Sequence, residues 1–131
     1  RESDLRPRTD ENWWNGPCIE LFGTGPAHPA AEQIGLIPAG SGSPAQVLWF
    51  HDAVRQSDAP GAEVTSTPKP NGYRLAALVP DRLLGWDRTR ATPALEVSIN
   101  VKPATERPRR RTRLFGVEIW MSEWHRYARL V

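Results

Sequence analysis

The sequence predicts an all-β protein, folded as an antiparallel sandwich or barrel. Thirteen prolines and ten glycines are distributed over the 131 residues. They disfavour long helices, because proline breaks a helix and both residue types mark turns. Short segments of alternating apolar residues recur between these turn signals. No segment has a helical period, and we find no internal repeat.

The length predicts one domain over residues 1–131, large enough to bury a core without covalent cross-links. The formal net charge is only +2. Cys18 is the single cysteine, which excludes an intrachain disulfide and a cysteine-based metal site. No stretch approaches the roughly 20 apolar residues of a membrane helix. We therefore expect no membrane partner.

The first strand is predicted at residues 18–22, after a charged entry segment and a polar turn that carries Trp13 and Trp14. Ile19 and Leu21 fall on one face of this strand. Because adjacent residues point to opposite faces, at most one of the two tryptophans joins the core. An exposed indole beside a strand that carries Glu20 suits a sugar ring, whereas two packed indoles would cap the edge of the core.

The elements after this strand are predicted from alternation and from turn residues. The apolar middle of residues 45–51 predicts contacts on both faces, and residues 72–80 place Tyr73 and Leu75 on one face. Pro80 and Gly85 delimit a short helical turn. In order, the elements are a loop at 23–31, strands at 33–38 and 45–51, a loop at 52–71 with a short strand at 62–66, a strand at 72–80, the helical turn at 81–84, a half-buried strand at 95–102, a basic loop at 107–113, a strand at 114–120 and a last strand ending at 131.

Three segments in this order carry a resemblance to a known family. The first is Trp14-Asn15-Gly16-Pro17-Cys18-Ile19-Glu20-Leu21-Phe22, a tryptophan and turn before a strand with a central glutamate. The second is a Gly-Tyr strand at residues 72–80 with the helical turn after it, and the third is a strand at 95–100 that ends in asparagine. Together they resemble family-9 carbohydrate-binding modules and the wider group of DOMON-like sandwiches, over nearly the whole chain.

The resemblance implies a jelly-roll or DOMON-like sandwich that binds a poly- or oligosaccharide without catalysis. Such a module would hold an attached secreted, periplasmic or cell-surface enzyme near its polysaccharide. By position, Trp14 would be the first sugar platform, Glu20 a hydroxyl acceptor, Trp124 the second platform with Trp120 as its rival, and Asn100 a further polar contact. An indole packs on the C–H face of a pyranose, and the rim hydroxyls need polar partners.

The chain departs from the family pattern in two respects. Pro17 and Val101 stand where the family has aspartates, so a structural calcium ion would lose hard oxygen ligands there. Family members also have several strands before the Trp–Glu segment. The chain is therefore expected to form the C-terminal two-thirds of the fold, completed by an N-terminal segment or by a second chain.

Other functions are weighed against carbohydrate binding. A structural or protein-interaction sandwich without a sugar site is the main alternative. A haem-binding DOMON-like domain is a minor one, since Met121 is the single methionine and no partner ligand is indicated. The basic segment at 107–113 lacks interleaved aromatic residues, which favours a solvated loop over a nucleic-acid surface.

An enzyme is not expected, because the family that the chain resembles binds without catalysis and the usual catalytic and metal-binding motifs are absent. Paired carboxylates for glycoside hydrolysis stay open, since they meet only in three dimensions. His28, His51 and His125 lie in separate segments, without a short metal-ligand spacing. No Gly-x-Ser-x-Gly segment is present for a serine nucleophile. Asp52 follows His51 directly, but we attach no function to this adjacency. We therefore predict no catalytic residue and no metal ligand.

Overall fold

The structure, a computed structural model, describes residues 13–25, 28–40, 42–70, 72–87, 89, 94–100, 111–113 and 128–129. Within these residues the regular elements are antiparallel β-strands in two sheets and two short 3-10 turns, with no α-helix. The predicted all-β antiparallel class is therefore confirmed. None of the helices in the described segments is long and apolar enough to cross a membrane.

Seven of the described strands form one sheet and two form a separate hairpin. The strands are β1 (Cys18–Gly25), β2 (His28–Ile37), β3 (Gln46–His51), β4 (Val54–Arg55), β5 (Glu63–Lys69), β6 (Gly72–Leu78), β7 (Ala94–Asn100), β8 (Arg111–Arg113) and β9 (Ala128–Arg129). The large sheet has the order β4-β3-β2-β1-β7, and β8 and β9 pair with opposite ends of β7. The hairpin joins β5 to β6.

One face of the large sheet, here called the apolar face, consists of aliphatic residues and Trp49 except at one end. Register places Ile19 beside Leu36 and Leu21 beside Ile34, so these side chains share a face. The hairpin and the 3-10 turn at Asp81–Leu84 cover it. The side chains packed in this layer include Ile19, Leu21, Ile34, Leu36, Val47, Trp49, Leu75, Leu83 and Leu84.

The opposite face, here called the mixed face, combines aromatic and aliphatic packing with buried polar groups. Trp13 lies over it and packs with Cys18, Ile37, Leu48 and Phe50. Towards β7 the face becomes polar. The polar residues buried there are Glu20, Thr24, Glu96, Ser98 and Asn100.

The predicted loop at residues 23–31 is wrong, because strands occupy most of it. β1 continues to Gly25 and β2 begins at His28. Gly23 pairs with Glu32, and Thr24 pairs with Ala94 on the other side. Hydrogen bonding to both neighbouring strands outweighs the low strand preference of glycine. Gly23 also lets Leu84 approach, because an added Cβ would lie 2.6 Å from Leu84 Cβ.

The strand near residues 95–102 is present as β7, but its burial differs from the prediction. Glu96, Ser98 and Asn100 are fully buried, whereas the apolar residues between them are only half-buried. Alternation of apolar and polar residues favours a strand with its polar side in water. Here the polar side chains of β7 belong to the mixed face, and they are buried there beside other polar groups.

The remaining described elements confirm the helical turn and correct two loops. The 3-10 turn at Asp81–Leu84 ends at Gly85, whose φ of 68° is left-handed and whose N–H bonds the carbonyl of Arg82 at 3.3 Å. The predicted loop at 52–71 contains β4, and the short strand predicted at 62–66 is present as the longer β5. Part of the predicted basic loop is the strand Arg111–Arg113. The predicted strand at 114–120 lies outside the described residues.

Candidate ligand-binding site

The two adjacent tryptophans separate into one buried and one exposed indole. They lie in a 3-10 turn that the Gly16 N–H closes on the carbonyl of Trp13 at 3.1 Å. Trp13 is 2% exposed and Trp14 is 36% exposed. The prediction that at most one of them joins the core is confirmed. Trp14 is the indole that remains accessible to a ligand.

Trp13 is held in a close-fitting position that also supports Trp14. A Cβ on Gly35 would lie 2.5 Å from Cζ3 of Trp13, so the indole occupies the space above this glycine. Phe50 stacks on Trp13 with 5.7 Å between the ring centroids. Trp14 stands edge-on to Trp13, with centroids 6.1 Å apart and an interplanar angle of 84°. The exposed ring therefore rests on a rigid aromatic base.

Glu20 lies at the centre of a hydrogen-bond network that joins three strands. Its Oε2 accepts from Nε2 of Gln33 on β2 at 3.0 Å, and its Oε1 accepts from Nδ2 of Asn100 on β7 at 2.6 Å. Asn100 Nδ2 also lies 3.2 Å from Cys18 Sγ, in donor geometry. Charge-assisted hydrogen bonds of this kind hold a carboxylate in one orientation.

The network restricts how Glu20 can act on a ligand. The Glu20 residue is only 3% exposed, so its oxygens lie behind other groups. Gln33 is half-buried and is the more accessible member of the network. It pairs in register with Phe50, which stacks on Trp13. A ligand that approached this network would therefore reach Gln33 before it reached Glu20.

The structure brings together part of the predicted site. Glu20 and Asn100 are in direct contact. Trp14 contacts Trp13, which packs over Gly35, the residue paired with Glu20. Trp120 and Trp124 lie outside the described residues. The sequence analysis missed Gln33 and the supporting role of Trp13. Alternation assigns a face to each residue, but the register that sets Gln33 close to Glu20 has no sequence signal.

A second polar cluster lies at the end of the apolar face. Glu32 is 2% exposed; its Oε2 accepts from Nε1 of Trp49 at 3.1 Å, and its Oε1 lies 2.6 Å from Nδ1 of His51. An ionised carboxylate only accepts, so Nδ1 carries the hydrogen when Glu32 is charged. His51 Nε2 lies 3.7 Å from Asp52 Oδ2. The cluster orients His51, which the sequence analysis left without a role.

The described residues do not assemble a metal site. No group of three or more His, Cys, Asp or Glu side chains in the described segments is arranged to hold a metal ion. Pro17, which stands where the family has an aspartate, is fully buried. Met121 and Val101, which bear on the haem and calcium expectations, lie outside the described residues.

Comparison with known proteins adds no relative. Neither protein-family models, nor curated proteins, nor solved structures gave a match to this chain.

Proposed function

We propose that this chain binds carbohydrate without catalysis, with the exposed indole of Trp14 as a sugar platform. The observation that carries the proposal is the division of the tryptophan pair. Trp13 is locked into the core and holds Trp14 edge-on at the surface. A flat, rigid indole presents apolar area to the C–H face of a sugar ring at low entropic cost.

The Glu20 network supplies the polar part of this proposed site. A sugar hydroxyl would meet the accessible amide of Gln33, which Glu20 orients through the 3.0 Å hydrogen bond. Asn100 fixes the other carboxylate oxygen. Glu20 and Asn100 would therefore act by positioning Gln33. Trp124, with Trp120 as its rival, stays the predicted second platform.

The resemblance to family-9 modules supports the wider role. A module of this kind would be part of a secreted, periplasmic or cell-surface enzyme and would keep that enzyme near its polysaccharide. The resemblance rests on the Trp14–Phe22 segment, residues 72–80 and residues 95–100, in that order.

The proposal is tested by calorimetry of the whole chain against a panel of monosaccharides and soluble oligosaccharides. We expect heat from at least one sugar. Trp14→Ala should weaken that binding by tenfold or more, which is about 1.4 kcal/mol. Its free energy of unfolding should fall by about 1 kcal/mol, because the indole is 36% exposed and its edge-on contact with Trp13 is lost.

Leu78→Ala is the matched control, since it removes an apolar side chain that is 62% exposed on the other sheet. It should leave sugar affinity unchanged. Absence of heat from every sugar would refute the proposal.

A structural or protein-interaction role is the second candidate, and the burial of Glu20 favours it. At 3% exposure, a carboxylate with two amide partners can serve the fold alone. In that case Trp14→Ala would lower stability and remove no sugar binding. The same variant therefore separates the two functions.

A further inference from the structure

The short strand β4 is held beside β3 by a tight and strained turn. Asp52 and Ala53 connect the two strands, and both have left-handed backbone angles, with φ of 48° and 63°. Two-residue hairpin turns require positive φ, which asparagine and glycine adopt more readily than alanine. Backbone strain of this kind occurs most often at functional sites, where the surrounding structure imposes it. The turn fixes the register of β4.

This register places Arg55 at the outer end of the mixed face. Arg55 pairs with Phe50, and Phe50 pairs with Gln33 on its other side, so the three residues share that face. Gln33 and Phe50 are half-buried, whereas Arg55 is exposed. Within the described segments, Arg55 takes part in no ion pair and no side-chain hydrogen bond. Its guanidinium is therefore available to a ligand.

Aromatic rings connect the position of Arg55 to the exposed indole of Trp14. Phe50 stacks on Trp13 with 5.7 Å between the ring centroids, and Trp14 contacts Trp13 with 6.1 Å between them. Trp14 is thus two ring contacts away from Phe50, which is the neighbour of Arg55 on the next strand. A pyranose ring is about as large as a phenyl ring. A short chain of sugars is therefore long enough to extend from Trp14 to the long side chain of Arg55.

The charge of the mixed face changes from one end to the other. The buried carboxylates Glu20 and Glu96 lie on β1 and β7, whereas Arg55 lies on β4. Three strand spacings, about 14 Å, separate β4 from β1 in the sheet. A negative ligand group is thus favoured at the β4 end and disfavoured at the other.

The guanidinium group selects a planar anion. Its donors form a rigid fork that binds a carboxylate through two parallel hydrogen bonds, which a neutral hydroxyl cannot accept in the same way. We propose that Arg55 makes the Trp14 site selective for acidic sugars, by binding the carboxylate of a uronic acid in a chain that stacks on Trp14. This inference rests on the proposed function and names its class of ligand.

The test compares acidic sugars with their neutral esters. Calorimetry of the whole chain at low salt measures its affinity for short oligomers of galacturonic, glucuronic or mannuronic acid and for the methyl ester of each. We expect at least one acid to bind tenfold or more tightly than its ester, because esterification removes the charge and keeps the rings. Added salt should reduce this ratio, since screening weakens an exposed ion pair.

Variants assign the selectivity to Arg55. Arg55→Gln should lower the ratio of acid to ester affinity by tenfold or more, whereas Arg55→Lys should retain part of it, because lysine keeps the charge without the planar fork. Arg74→Gln is the matched control, since it removes an exposed arginine from the hairpin, and it should keep the ratio of the parent chain. Trp14→Ala should weaken the binding of both forms.

The inference is overturned, and the proposed function stands, if esters bind as tightly as their acids or if Arg55→Gln keeps the full ratio. Acid binding that is unchanged in Trp14→Ala would also overturn it, because the carboxylate would then be bound elsewhere. If no acid, ester or neutral sugar gives heat, the proposed function fails and the inference fails with it.

Discussion

Both faces of the large sheet contain fully buried side chains, which are held by different interactions. On the apolar face, Ile34 and Leu83 are fully buried among other aliphatic side chains. On the mixed face, Glu20 and Ser98 are equally inaccessible. Apolar packing has no direction, whereas a buried polar group must meet a partner at a defined distance and angle.

The apolar face mainly stabilises the fold, whereas the mixed face mainly fixes the positions of polar side chains. The apolar face joins the hairpin and the 3-10 turn to the sheet, so substitutions there should act through lost area and cavities. The mixed face holds Glu20, Gln33 and Asn100 in one arrangement. Substitutions there should act through unpaired groups, and their effects should be coupled.

The largest expected effect is on the apolar face. Leu83→Ala should lower the free energy of unfolding by about 2–5 kcal/mol, because it opens a cavity at a fully buried leucine. Chemical denaturation measures the loss. Leu78→Ala, at an exposed position, should change stability by no more than about 0.5 kcal/mol. Equal effects of the two variants would mean that Leu83 does not anchor the layer.

A smaller effect is expected on the mixed face. Glu20→Ala should lower the free energy of unfolding by about 1–3 kcal/mol, since Asn100 loses its charged acceptor in a buried site. The double variant Glu20→Ala/Asn100→Ala should lose less than the sum of the two single losses, because the residues contact each other. Strict additivity would show that their hydrogen bond contributes no coupling.

The smallest expected effect is on the free energy of unfolding at alkaline pH, through Tyr73 of the hairpin that covers the apolar face. Tyr73 lies on the same side of β6 as Leu75, which packs into the apolar layer. Burial raises the pKa of Tyr73 to about 12, and the charge of Cys18 adds to the rise. The folded pKa exceeds the ordinary value of 10.0, so this contribution is fully present below pH 10 and is lost as pH rises towards 12.

The measurement is stability at alkaline pH together with ultraviolet titration of tyrosinate. Tyr73→Phe should remove the part of the alkaline decline that comes from this phenol. Tyr127→Phe leaves Tyr73 as the only tyrosine, so its titration can be followed alone. A Tyr73 that titrates near its ordinary value would show that water reaches this layer.

Local patterns were sufficient for much of the fold. The alternation of residues 18–22 separated Ile19 and Leu21 from Glu20, and the structure has the same division. Pro80 and Gly85 correctly delimited the helical turn. The errors at residues 23–31 and 52–71 have one cause. Glycine and proline there resemble loops, and only pairing with a neighbouring strand makes them extended.

The candidate site was predictable only in part. Trp14, Glu20 and Asn100 were identified from their order along the chain, but Gln33 and Trp13 were not. Their roles depend on register, which sets Gln33 within reach of Glu20 and Gly35 beneath Trp13. A shift of one residue would move each strand's side chains to the other face, and nothing in the local sequence encodes the pairing.

By itself, the sequence determined the all-β class and the helical turn, because these follow from backbone preference and from alternation. The separation of Trp13 from Trp14 was predicted correctly, but it arises in a 3-10 turn and not from strand alternation. Only the tertiary structure decided that Trp13 is the buried one and that the polar side of β7 faces inwards. A polar side chain can be buried only where another strand supplies its partner. That partner lies far away along the chain, as Asn100 does from Glu20.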